Sequence, residues 1–217
     1  MSKKVAVILS GCGYLDGAEI NEAVLSLLYL DLAGAQVQSF APNIKQLHVV
    51  DHLTGEATQE QRNVLTESAR IVRGKIQDLS QLKVENFDAL VVPGGFGVAK
   101  NLSDFALKGA DCSVNLEVLA ALKSFKNAGK PVGLICIAPA LAAAVYGAGV
   151  SCTIGTDKAT AEVLQSMGAQ HKDCAVDAIV VDTQHKLVTT PAYMLAESIS
   201  QSAKGIEALV HEVLRLA

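Results

Sequence analysis

Two short apolar runs end in abrupt breaks, and this pattern constrains the fold more than any other feature. Asp88-Ala89-Leu90-Val91-Val92 runs straight into Pro93-Gly94-Gly95-Phe96-Gly97, and Pro131-Val132-Gly133-Leu134-Ile135 runs straight into Cys136. Neither run alternates polar with apolar residues, so each reads as a strand buried on both faces, as strands in parallel sheets are. Lys4 to Leu9 is a third such run, followed closely by Gly11.

Helical periodicity fills the spaces between these runs. Ile20, Ala23, Val24, Leu27 and Leu28 predict a helix ended by Gly34, with a second strand over Gln36 to Ala41. Residues 43 to 86 are less regular: His48 to Gly55 predicts a strand and turn, and Asn63 to Val72 a helix closed by Gly74. Leu116, Leu119, Ala120, Leu122 and Phe125 share a helix closed by Gly129, and Ile137 to Val145 reads as another. Residues 150 to 154 predict a strand, and Asp157 caps a helix running through Met167. Ala178 to Asp182 and Lys186 to Thr190 predict a hairpin about Thr183-Gln184-His185. Ile206, Leu209, Val210, Val213 and Leu214 form the apolar stripe of a last helix. The fold class that follows is α/β: a mostly parallel sheet covered by helices on both faces. No repeat or linker divides the chain, so residues 1–217 read as one domain.

Composition narrows the class of function. Half of the residues are hydrophobic, only 4% are aromatic and there is no Trp, which suits a core of Ala, Val, Ile and Leu. A net charge of -4, with basic residues scattered, argues against nucleic acid or a membrane surface as partner. The first apolar run is too short for a signal peptide or a membrane span, so a cytoplasmic protein is expected. The five Cys are odd in number, widely spaced and free of any C-x-x-C pair. Free thiols in a reducing compartment are expected, and no metal site. The five His form no metal-ligand spacing; His171, His185 and His211 read as surface residues.

Cys136 is the first candidate for chemistry. Ligands of open α/β sheets bind beyond the carboxyl ends of the strands, and a strand-to-helix turn exposes its residue there. The following helix start favours a thiolate, and the small residues Gly133, Ala138, Ala140 and Ala142 let chain pass close by, as at a nucleophile elbow. A small buried hydrophobe would occupy the same position. Gly94-Gly95, at another strand end, suits backbone N–H groups that approach an oxyanion, or a plain tight turn. Glu19 and Glu22 share one face of the first helix start; either could reach the thiol, or simply complement the helix dipole. Gly11-x-Gly13-x-x-x-Gly17 does not fit a dinucleotide loop, because its spacing is one residue too long and no acid ends the second strand. Cys12 in that loop reads as a buried thiol or a neighbour of the site.

Several blocks in order carry a family resemblance: Val7-Ile8-Leu9-Ser10-Gly11-Cys12-Gly13, Asp16-Gly17 through Glu19 to Glu22, His52-Leu53-Thr54-Gly55-Glu56, Val92 to Gly97 with Lys100-Asn101-Leu102, Cys136-Ile137-Ala138-Pro139-Ala140, Thr153 to Asp157, and Val188 to Met194. Over nearly its whole length the chain resembles the DJ/PfpI group of the class I glutamine amidotransferase-like superfamily, and within it the bacterial enhancing-lycopene-biosynthesis (ElbB-like) branch. The resemblance implies a flavodoxin-like sandwich, a homodimer, and a nucleophile at Cys136 with Glu22 as its carboxylate. It implies oxyanion donors at the N–H groups of Gly95 and Ile137, and substrate contacts from Gly94, Cys12 and Asn101. The implied activity is a glyoxalase that turns glyoxal into glycolate with no cofactor, its substrate a small dicarbonyl or aldehyde. Relatives add a His beside the nucleophile or on a later strand. Here Ile137 follows Cys136 and residues 137 to 170 contain no His, which leaves a Cys136–Glu22 dyad. A thiol redox sensor, a protein-repair deglycase and a non-catalytic regulator linked to isoprenoid output are the alternatives.

Overall fold

The computed structural model describes residues 2–217. Its strands are β1 (Lys4–Ile8), β2 (Gln36–Ala41), β3 (Ile76–Asp78), β4 (Ala89–Val92), β5 (Val132–Ile135), β6 (Ser151–Cys152), β7 (Gln170–His171), β8 (Val180–Asp182) and β9 (Leu187–Thr190). Its α-helices are α1 (Ile20–Leu32), α2 (Val64–Ile71), α3 (Phe105–Lys108), α4 (Leu116–Asn127), α5 (Ala142–Tyr146), α6 (Lys158–Ser166) and α7 (Ile199–Leu216). The main sheet runs β3-β2-β1-β4-β5-β9-β8, with every pair parallel except the β8–β9 hairpin. This is the flavodoxin-like α/β sandwich.

Side-chain alternation along the central strands builds both layers. Ala6, Ile8, Leu90, Val92, Val132 and Leu134 face one way, onto Val118, Leu122 and Phe125 of α4. Val5, Val7, Ala89, Val91 and Ile135 face the other way, onto Ala23 and Leu30 of α1 and Ile206, Leu209, Val210 and Val213 of α7. A Cβ on Gly133 would stand 2.7 Å from Leu209 Cδ2, so this glycine lets α7 lie close on β5. The helices start where side chains satisfy free N–H groups: Asn63 accepts from Thr66, Asn115 from Val118, Asp157 from Thr160 and Ser198 from Gln201.

The chain winds from β1 out to β3 and returns on the other side of β1 as β4. The carboxyl ends of β1 and β4 therefore diverge into a crevice, the usual place for a ligand in this architecture.

Four segments differ from the sequence expectation. The strand expected over residues 150 to 154 is present but shortened to Ser151–Cys152. Ser151–Cys152 pairs with β7 in a separate two-stranded sheet, because side chains take the neighbouring N–H groups: Asp182 that of Ser151, Thr189 that of Thr153 and His171 that of Ile154. His171 is thus no surface residue, since its side chain is 2% exposed. Of the strand and turn expected over His48 to Gly55, the turn forms, with Gly55 N–H donating to the Asp51 carbonyl at 2.7 Å, but the strand is reduced to an isolated bridge, Val50 to Ala57. The helix expected from Ile137 starts as a 3₁₀ turn over Ala138–Leu141 before the short α5.

The stripe on α1 is also turned differently. Ile20, Val24 and Leu28 are exposed, whereas Glu22 and Ser26 are fully buried. Ser26 is satisfied by donating to the Glu22 carbonyl at 2.7 Å. The helix presents a polar pair to the interior and an apolar edge to the outside.

Candidate active site

Cys136 follows β5 and adopts a φ of 61°. The left-handed region costs a residue with a Cβ about 1–2 kcal/mol, so the surrounding structure has to hold it. Its own N–H donates to the Thr190 carbonyl at 2.9 Å, which pins the turn to the end of β9. The side chain is 7% exposed and lines a cavity of about 360 Å³ at the carboxyl ends of the strands.

Glu22 reaches this turn from α1. Its carboxyl is completely buried. Oε2 accepts from the Gly94 N–H at 2.8 Å and Oε1 from the Tyr193 N–H at 3.2 Å, and the group also hydrogen-bonds the Cys136 thiol. Burial, then the neighbouring Glu19 charge, pushes Glu22 up to about 8. Glu19 caps α1, accepting from the Glu22 N–H at 2.6 Å, and lines the cavity with its own carboxyl raised by burial.

The ionisation of Cys136 differs from the sequence expectation. Burial, reinforced by the Glu22 carboxylate, holds the thiol well above its ordinary range. Only one 3₁₀ turn and a five-residue helix follow it, so desolvation outweighs the field of the helix start. The N–H groups of Gly95 and Ile137 both donate to the Cys136 side chain and oppose that rise.

The glycines act by close approach. A Cβ on Gly94 would stand 2.4 Å from Cys136 Cβ and 2.6 Å from Glu22 Oε2. Gly94 therefore lets thiol and carboxyl meet and does not itself line the cavity. Gly95 has a φ of 95°, and a Cβ there would meet the Glu19 nitrogen at 2.3 Å. Backbone bonds tie the two loops together: Glu19 N–H donates to the Gly94 carbonyl, Phe96 N–H to Tyr14 and Gly97 N–H to Gly17. The Gly11–Gly17 loop is thus a packing surface for the Gly94–Gly97 loop.

Two expected substrate contacts lie elsewhere. Asn101 is buried and fully used as a brace: Nδ2 donates to the Ser10 and Asp16 carbonyls at 2.9 Å each, and Oδ1 accepts from Leu47 N–H at 3.0 Å. Cys12 sits in the glycine loop among Glu67, Arg70 and Asp16, away from the cavity wall, its thiol raised by burial.

Tyr193 lies in the Val188 to Met194 block that carries the family resemblance, yet the sequence assigns it no role in the site. It holds Glu22 through its backbone, lines the cavity, and its hydroxyl accepts from Asn21 Nδ2 at 3.2 Å. The preceding Ala192 has a φ of 44°, a strain that turns the Tyr193 N–H toward the carboxyl. The block marks Pro191-Ala192-Tyr193 but does not reveal this role, because a backbone donor has no side-chain signature. Among the described residues, no cluster of His, Cys, Asp and Glu could hold a metal ion, and no helix is long and apolar enough to cross a membrane.

The chain is similar to known proteins over nearly its whole length. The chain is 50% identical to the human protein named glutamine amidotransferase-like class 1 domain-containing protein 3, mitochondrial, over 98% of this chain and 83% of that one. It is 37% identical to the zebrafish (Danio rerio) ES1 protein, mitochondrial, over 88% of this chain and 76% of that one. A crystal structure from Ehrlichia chaffeensis, described as an isoprenoid biosynthesis protein with amidotransferase-like domain, superposes with a TM-score of 0.93 at 40% identity, covering 99% of both chains. Drosophila melanogaster DJ-1beta, at 21% identity and a TM-score of 0.56 over 100% of this chain and 96% of that one, shares the fold. Residues 3–197 match the DJ-1/PfpI family, and the chain belongs to it.

Proposed function

We propose that the protein is a cofactor-independent glyoxalase that converts glyoxal and water into glycolate. One observation carries this reading: a fully buried carboxyl, raised to about 8, is hydrogen-bonded to a thiol on a strained turn at the cavity wall. A carboxyl with that affinity for a proton can both take and return one near neutral pH.

As the Cys136 sulfur attacks one aldehyde carbon, Glu22 takes the thiol proton. The aldehyde oxygen becomes an oxyanion within reach of the Gly95 and Ile137 N–H groups, and protonation gives a hemithioacetal. Glu22 then removes the C–H proton of that carbon and delivers it to the neighbouring carbonyl carbon through an enediol. The first carbon is oxidised to a thioester as the second is reduced to an alcohol. Water cleaves the C–S bond, glycolate leaves and the thiol is restored. No outside oxidant is needed.

The redox-sensor alternative calls for a low-pKa thiol, and the burial of Cys136 works against one. The ElbB-like branch assignment, and with it an isoprenoid link, is supported by the Ehrlichia relative's description. A cytosolic setting is consistent with five free thiols, although the human and zebrafish relatives are named as mitochondrial. Two copies pair, on this proposal, through the exposed α1 stripe of Ile20, Val24, Leu28 and Leu32. The test of activity is glycolate release from glyoxal by purified protein without added thiol or metal. Absence of glycolate above the uncatalysed background rejects the glyoxalase reading.

A further inference from the structure

A second groove opens on the sheet face between α1 and α2, and it shares no lining residue with the Cys136 cavity. We propose that this groove binds a single-chain amphipathic anion, an apolar chain that ends in a carboxylate or a phosphate. The proposal is independent of the glyoxalase reading.

The groove follows from how the sheet is covered. Along β2, Val37 is in register with Val5 and Ser39 with Val7. Residues in register on parallel neighbours share a face, so Val37 and Ser39 point toward the layer of α1 and α7. The helices α1 and α2 leave a gap over them. Leu27 of α1, with Ile71 and Val72 at the end of α2, stays half-buried. With Val37 they form the apolar walls of a space of about 520 Å³. That size lies within the range of about 300–1,000 Å³ typical of small-molecule sites. Apolar surface rimmed by polar groups is the usual mark of a binding groove.

One end of the groove is cationic. Arg73 and Lys75 line it, and no Asp or Glu does. Neither cation is in an ion pair among the described residues. Ser39 stands at the same end, because it pairs with Ile76, the residue after Lys75. It is 3% exposed, and its hydroxyl has no hydrogen-bond partner among the described residues. Two free cations and a free hydroxyl, with no carboxylate beside them, suit a carboxylate or phosphate group.

The backbone at Arg73 points the same way. Helix α2 ends in a turn where the Gly74 N–H donates to the Ala69 carbonyl at 2.8 Å. The left-handed position in such a turn usually belongs to glycine. Here Arg73 holds it, with a φ of 55°, and Gly74 comes one residue later. The strained turn sets the guanidinium at the groove, and strain of this kind clusters at ligand clamps.

Calorimetric titration of the full chain with decanoate, below its micellar concentration, tests the proposal. Decanoate is expected to bind. Octanoate should bind about tenfold more weakly, since it lacks two methylenes worth about fourfold each. Acetate, a head without a chain, and decanol, a chain without a charge, should each be weaker by about tenfold or more. Decyl phosphate is titrated in parallel: binding of either anion supports the proposal, and the tighter one names the headgroup. Arg73→Gly relieves the left-handed backbone, so its melting temperature should hold or rise. Its affinity for the anion should nevertheless fall about tenfold. A merely structural Arg73 would leave that affinity unchanged. Absence of binding by both anions, or binding that Arg73→Gly does not weaken, overturns the inference. So does a fall in mass by light scattering when decanoate is added, because a second copy of the chain would then occupy the groove.

Discussion

The carboxyl of Glu22 and the thiol of Cys136 share a hydrogen bond in a space that a single methyl group on Gly94 would fill. Helix α1, the turn after β5 and the loop after β4 each bring one member of this contact, so its geometry is a property of the whole sheet end.

Gly94→Ala is expected to abolish turnover and to cost about 1–3 kcal/mol of stability. The added Cβ would meet Cys136 Cβ, Glu22 Oε2 and, at 2.9 Å, the Ile135 carbonyl, none of which can swing away freely. Urea unfolding and glycolate release measure the two effects. An alanine variant with wild-type turnover would show that the dyad does not depend on this close approach.

The stability of the fold should depend on pH through Glu22. An unfolded glutamate ionises near 4.5, whereas the buried carboxyl holds its proton up to about 8. Between these values the native state binds the extra proton, so stability falls as pH rises. The contribution is complete below about 4.5 and lost once pH has passed about 8. It amounts to a few kcal/mol, at about 1.4 kcal/mol per pH unit across the window. Urea unfolding from pH 5 to pH 9 should show wild type losing ground to Glu22→Gln across this range. Parallel curves for the two proteins would mean that Glu22 is ionised like an ordinary glutamate.

Glu19 has the spacing of a bystander that complements the helix dipole, and the structure makes it a tuning group. Its charge is the second cause of the raised Glu22. Glu19→Gln removes that charge and should move the acid limb of the pH–rate profile to lower pH. The Gln oxygen can still accept from the Glu22 N–H, so the start of α1 should persist. A profile that does not move would show that the two carboxyls are electrostatically independent.

The dimer prediction is a matter of mass. Leu28 is 45% exposed in the middle of the α1 stripe, so Leu28→Glu should leave the fold intact and halve the mass measured by light scattering. A wild-type protein that is already monomeric, or a variant that remains dimeric, would remove α1 as the interface.

What the sequence reveals, and what it conceals, follows from the kind of interaction involved. Strands β1, β4 and β5 are legible because both faces are buried and their side chains are uniformly apolar. Cys136 is legible because a break directly after such a strand falls at the open end of the sheet. The direction of its ionisation is not, since desolvation depends on Ile137, Met194 and the loops above it. The facing of α1 is ambiguous because Val24 and Leu28 match a core stripe as well as a stripe left exposed. Burial of Glu22 depends on two N–H donors, from Gly94 and Tyr193, that no pattern of side chains announces. Asn101 has the chemistry of a substrate contact, yet its three hydrogen bonds all go to backbone groups.

The most direct test of the dyad is glycolate production from glyoxal across pH by wild type, Cys136→Ser and Glu22→Gln. Glutamine keeps the shape of Glu22 but cannot carry a proton, and loss of a general acid–base group typically costs about a hundredfold or more. Wild type should turn over glyoxal with a pH limb near the raised value of Glu22, at about 8. Cys136→Ser should be inactive, and Glu22→Gln should fall about a hundredfold and lose that limb. Wild-type activity in either variant would contradict the account, because the sulfur and the carboxyl act in it as one unit.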